Sequence, residues 1–161
     1  MEKKFKKVLE IKKLPIFVKS NEMPKKDKFH EIVKSALIKE QWHITNDPLY
    51  VPTKGGNNFF IDLGAERILG AEKDGQSIAV EIKSFGGSSP MYTFYEILGQ
   101  FLIYKIALRE QPKPWELYIA LSDVGFKKLD DSPIFNKAMQ EYEMKFIIVN
   151  EKSQTVVEWK K

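Results

Sequence analysis

The elements read along this chain predict an α/β domain: a central mixed β-sheet, part antiparallel and part parallel, flanked by helices. Three observations predict it. Helical periodicity over Lys25–Glu40 precedes a meander of strand-like segments. A long helical segment, Met91–Glu110, separates that meander from a further apolar strand. A helix and a strand then alternate once more before a short final strand. At 161 residues, with 43% hydrophobic and 12% aromatic side chains, the chain can bury one sizeable core.

Each element has a local reason. Pro24 suits the first turn of a helix, and Phe29, Ile32, Val33, Ala36 and Leu37 recur at helical spacing behind it. Trp42–Val51 reads as a strand that Pro48 confines to an edge or an early end. Lys54-Gly55-Gly56-Asn57-Asn58 is a polar loop. Phe59–Glu66 and Ile68–Lys73 read as strand with an irregularity near Gly64, and Asp74-Gly75 is a two-residue hairpin turn into Gln76–Phe85. Gly86-Gly87-Ser88-Ser89-Pro90 is a second loop, and Pro112 and Pro114 end the long helix. Trp115–Val124 is a strand, Pro133–Glu143 a helix, Lys145–Asn150 a strand, and Val156–Trp159 an edge strand. The absence of a Gly-rich phosphate fingerprint or P-loop after any strand excludes a dinucleotide-binding fold.

Composition excludes several classes of function. No apolar run approaches the ~20 residues that span a bilayer, and no signal-peptide pattern is present. Cysteine is absent, which removes disulfides, thiolate metal sites and cysteine nucleophiles; a cytoplasmic setting is expected. Residues 1–22, read as a basic N-terminal extension, carry seven lysines and three glutamates and so the whole net charge of +4. Residues 23–161, read as the folded domain, hold 19 basic and 19 acidic residues. Nucleic-acid binding by this neutral body therefore needs a local patch.

The strongest chemical signal is Val80-Glu81-Ile82-Lys83. Strand alternation points Ile78, Val80 and Ile82 one way, and Glu81 and Lys83 the other. Opposite charges on a buried strand are costly unless paired, exposed or used. With Asp74-Gly75 as the turn, Lys73 faces Gln76, Glu66 faces Lys83, and Asp62 lies further along the same face. Asp62, Glu66, Glu81 and Lys83 then gather at one end of the sheet. Asp62, Glu81 and the carbonyl of Ile82 are oxygen donors suited to Mg2+ or Mn2+, with Lys83 beside an attacking water and a phosphodiester. A cross-strand ion pair between Glu66 and Lys83 on a solvated face explains the same residues without function.

These residues resemble the PD-(D/E)XK nuclease core: Ile61-Asp62, then Val80-Glu81-Ile82-Lys83, with Ile61 in place of the motif's proline. A wider resemblance, from Met23 to Trp159, is to the XisH family. It is carried by Met23-Pro24-Lys25-Lys26-Asp27, Ala36-Leu37-Ile38-Lys39, Trp42-His43-Ile44-Thr45-Asn46-Asp47-Pro48, Ala79-Val80-Glu81-Ile82-Lys83-Ser84-Phe85 and Leu98-Gly99-Gln100. The resemblance implies a restriction-endonuclease-like fold, a role as controlling factor for excision of a DNA element, and a small partner, XisI. It does not imply hydrolysis.

Glu31 on the first helix matches a position where nucleases of this superfamily place another acidic ligand, although an exposed helix face suits it better. Gln100, at helical spacing from Glu96 and Tyr104, faces either the site or the sheet. His30 and His43 lie in different elements, and Ser84, Ser88 and Ser89 lack a base partner, which disfavours histidine-based and serine-based sites. Tyr92, Phe94, Tyr95, Phe101 and Tyr104 suit core packing or base stacking. Two functional readings follow: a magnesium-dependent nuclease-type protein acting on DNA, and a catalytically silent scaffold that binds DNA or a XisI-like partner.

Overall fold

A computed structural model describes residues 25–56, 58–61, 63–67, 75–85, 87 and 89–161, the side chains of residues 25–27, 61 and 63–67 excepted. The expected basic extension, residues 1–22, lies outside them. Twelve elements follow in order: α1 (Lys25–Lys39), β1 (His43–Asn46), β2 (Leu49–Val51), β3 (Phe59–Ile61), β4 (Leu63–Arg67), β5 (Gln76–Ile82), α2 (Pro90–Arg109), β6 (Glu116–Ser122), α3 (Asp123–Asp130), α4 (Pro133–Glu141), β7 (Phe146–Asn150) and β8 (Thr155–Lys160).

A six-stranded sheet has the order β1-β4-β5-β6-β7-β8, and β2 and β3 form a separate antiparallel pair. β5, β6 and β7 run parallel, while β1, β4 and β8 pair antiparallel at the flanks. The mixed sheet expected from the element order is therefore present. The three parallel strands are near-continuous apolar runs because helices cover both their faces. Ile78, Val80, Ile82, Tyr118, Ala120, Ile147 and Val149 pack against Phe29, Val33 and Leu37 of α1. Ala79, Ile119, Leu121, Phe146 and Ile148 pack on the other face against Phe94, Ile97 and Phe101 of α2, Phe126 of α3 and Met139 of α4.

Three sequence expectations are corrected. The single strand Trp42–Val51 is two strands in different sheets: Pro48 has no N–H to give a ladder, and β2 turns away to pair with β3. The turn-based register is displaced: Arg67, not Lys73, faces Gln76, and Glu66 faces Ser77 rather than Lys83. Ile68–Lys73 and Asp74 lie outside the described residues. The strand expected over Trp115–Val124 ends at Ser122, and Asp123–Asp130, for which the sequence predicts no helix, is α3. Its signal was present in Ser122, whose hydroxyl accepts from the Gly125 N–H at 3.0 Å as an N-cap, followed by Phe126 and Leu129 at helical spacing. The irregularity expected near Gly64 is a bulge on the facing strand, where Ile44 pairs with Ala65 but Asn46 with Gly64.

Two helical glycines contrast. A Cβ at Gly125 would stand 2.8 Å from the Phe85 ring and 3.0 Å from the Ser122 hydroxyl, whereas one at Gly99 would meet nothing within 4 Å. Helix propensity alone makes alanine better than glycine by about 1 kcal/mol. At Gly125 overpacking of about 1–3 kcal/mol outweighs that gain. Gly125→Ala is expected to lower the urea midpoint, and a midpoint at or above that of the unmodified chain would show that Phe85 yields without cost.

Candidate functional site

Glu81 is the penultimate residue of β5 and is only 6% exposed, one of three buried polar residues among those described. Alternation along β5 puts it on the α2 side with Ala79. A carboxylate there needs compensation, and Lys83 supplies it: its Nζ lies 3.2 Å from Glu81 Oε1. Lys83 follows the end of β5, and its backbone N–H donates to the Ala120 carbonyl at 3.0 Å, extending the ladder to β6. The same ammonium reaches Glu96 Oε1 of α2 at 3.2 Å. Strand end and helix are thus joined by one cation between a buried carboxylate and a mostly exposed one.

The other expected residues divide. Ile82 sits between Glu81 and Lys83, with its side chain in the α1 core. Gln100 lies one helical turn beyond Glu96, and its Oε1 is buried with no hydrogen-bond partner among the described residues, an acceptor that wants a donor or a cation. Asp62 lies outside the described residues; the residue after it, Leu63, pairs with Val80, next to Glu81. Glu66 is not brought to Lys83: its register partner Ser77 is four residues back from Glu81, about 13 Å along a strand. Glu31 is on α1, which covers the opposite face of the sheet. It lies 3.9 Å from Lys34 and groups with His30 and Asp47. A cavity of about 630 Å³ opens at the far end of the parallel strands, against the starts of β6 and β7, and none of the expected site residues lines it.

A family model described as "XisH protein" matches residues 23–157. The chain belongs to the XisH family. An XisH family protein from Nostoc punctiforme PCC 73102 is 36% identical, with a TM-score of 0.73, over 84% of this chain and 100% of that one. An fdxN element excision controlling factor protein from Anabaena variabilis is 34% identical, with a TM-score of 0.74, over 84% of this chain and 99% of that one. No curated protein matches. The XisH match takes in α1, the Glu81–Lys83 strand end and the whole of α2. Among the described residues, no helix is long and apolar enough to cross a membrane.

Two ion clusters in this XisH family member escaped the sequence reading, because their members are distant in the chain. Gln76 donates to Glu116 at 2.7 Å and Lys145 binds the same carboxylate, so one side chain on β6 ties the starts of β5 and β7 together. At the second, Asp47 accepts from Lys34 at 2.7 Å and contacts His30 at 2.8 Å, fastening the turn after β1 to α1. The ammonium of Lys34 already neutralises Asp47 there, and the cluster reads as structural.

Partial burial alone would raise the Asp47 carboxyl, but the Lys34 hydrogen bond and the neighbouring charges of His30 and Lys34 hold it below the ordinary carboxylate range. A depressed folded value stabilises the fold above about pH 4 and loses that contribution as pH falls through it. Asp47→Asn is therefore expected to lower the urea midpoint at about pH 7, and the gap to the unmodified chain should close at about pH 2. A gap that persists in acid would mean the loss comes from packing and not from charge.

Proposed function

We propose that this chain is a controlling factor for excision of a DNA element, acting through a PD-(D/E)XK nuclease-type site at the carboxyl end of β5. The observation that carries this reading is a carboxylate 6% exposed on the edge of the core, with an ammonium two residues on and 3.2 Å away. The printed description of the Anabaena variabilis relative supports the biological setting.

The donor set fits a hard divalent cation. It consists of oxygens, and the buried, unbonded Gln100 Oε1 adds an acceptor near Glu96. Glu81, Asp62 and the carbonyl of Ile82 would hold Mg2+ or Mn2+. When bound, such an ion supplies Lewis-acid stabilisation of phosphate and a more acidic water. Lys83 would do the work of the chain itself: its ammonium, held in place by Glu81 and Glu96, orients a water and offsets negative charge on a phosphodiester. The polar loop around Lys54 and the turn at Gly87 would border DNA.

A second reading is favoured by the Glu96 contact. Lys83 is already shared between two carboxylates at 3.2 Å each, so its ammonium is engaged within the fold. In that reading the nuclease core is a scaffold, and function lies in binding a XisI-like partner, DNA or both.

The experiment is a plasmid-nicking assay with Mg2+ or Mn2+, with and without the XisI-like partner, beside calorimetric titration of the metal. Glu81→Gln and Lys83→Met are expected to reduce nicking at least ~100-fold, the scale of a lost positioned group, with folding retained by circular dichroism. Glu81→Gln should also abolish metal binding. Absence of nicking and of Glu81-dependent metal binding in the unmodified protein would leave the scaffold reading.

A further inference from the structure

The outward face of α2 is apolar and is arranged symmetrically about one glycine. Tyr92 and Ile106 stand seven residues to either side of Gly99, and Tyr95 and Ile103 stand four to either side. At 3.6 residues per turn, all five lie within roughly 40° of one line along the helix. The four side chains are 72%, 50%, 57% and 49% exposed, respectively. The opposite face of α2 is fixed in the core by Phe94, Ile97, Phe101 and Leu108, so this stripe is presented by a rigid element. Gly99 serves no internal contact among the described residues, since a Cβ there would meet none of them within 4 Å. A glycine in mid-helix weakens the helix, and close approach by a second backbone is the remaining reason for it.

We infer that two copies of this chain pair through antiparallel α2 helices that cross at Gly99. A twofold axis through Gly99 sets Tyr92 of one copy against Ile106 of the other, and Tyr95 against Ile103. Each of these contacts is then made twice, as an isologous interface requires. Absence of a side chain at the crossing lets the helices approach closely enough for the flanking four to interlock. The apolar stripe, with Met91 at its edge, offers roughly 500 Å² per copy, or about 1,000 Å² for the pair, which meets the lower bound for a specific interface. A contact of that size makes a reversible dimer. Glu96 stands at its rim and also holds Lys83, so the contact brings two copies of the strand-end site onto one assembly.

Sedimentation velocity of the full chain, from ~1 to ~500 µM, should show a monomer–dimer equilibrium with a dissociation constant in the micromolar range. Ile103→Glu should weaken it at least ~10-fold, while Val157→Lys, an equally exposed apolar position on β8, should leave it unchanged. The chain has no cysteine, so Gly99→Cys gives a single reporter. Under mild oxidation it should form a covalent dimer, because a disulfide needs Cα atoms within roughly 7 Å, and Val157→Cys should not. A monomer at every concentration overturns the inference. So does a dimer unaffected by Ile103→Glu, or Gly99→Cys cross-linking no faster than Val157→Cys; these outcomes would assign the stripe to another occupant, such as a different protein or residues 1–22. None of them bears on metal binding or nicking, which test the proposed function separately.

Discussion

The constraint on which this structure depends is the burial of three parallel strands on both faces. β5, β6 and β7 present no solvated side except at their ends, so apolar residues fill them and polar groups are confined to the rims. At one rim Glu116 collects Gln76 and Lys145; at the other Glu81 collects Lys83. A charge in such a place is tolerated only with a partner at hand. The spacing Glu-x-Lys provides one, because β5 ends at Ile82 and Lys83, its side chain 13% exposed, follows within the ladder and reaches Glu81.

This constraint also explains what could be read in advance. Helical periodicity identified α1, α2 and α4, and apolar runs identified β5, β6 and β7, because both signals arise directly from which faces are buried. Glu81 and Lys83 stood out for the same reason: they interrupt such a run. Register was not legible. It was anchored on the dipeptide Asp74-Gly75, a sound local turn signal, but pairing is decided by how β4 fits between β1 and β5 in the sheet. That decision set Glu66 against Ser77. Likewise Pro48 marks a limit within the run Trp42–Val51, but that β1 and β2 join different sheets depends on partners elsewhere in the chain.

Glu96 shows the same limit within the site. Helical spacing grouped it with Gln100, but its grip on Lys83 exists only because α2 packs on the sheet against β6, beside the end of β5. The link has a mechanical meaning. Any displacement of α2 pulls on Lys83, and any neutralisation of Glu81 frees Lys83 for Glu96. Helix and strand end are therefore energetically coupled whether or not the site turns over substrate.

The union of α1 with β8 carries a different consequence. Lys39 donates to the carbonyls of Ser153 and Gln154, Trp159 donates to Glu40 at 2.7 Å, and the Trp42 and Trp159 rings lie 5.5 Å apart. These are contacts between groups more than a hundred positions apart, and such closures are entropically slow to form. On the ribosome α1 emerges before β8, the strand that completes its surroundings. Its neighbours Trp42 and Tyr118 then wait for Trp159, and the nascent chain shows an aromatic surface until β8 has emerged.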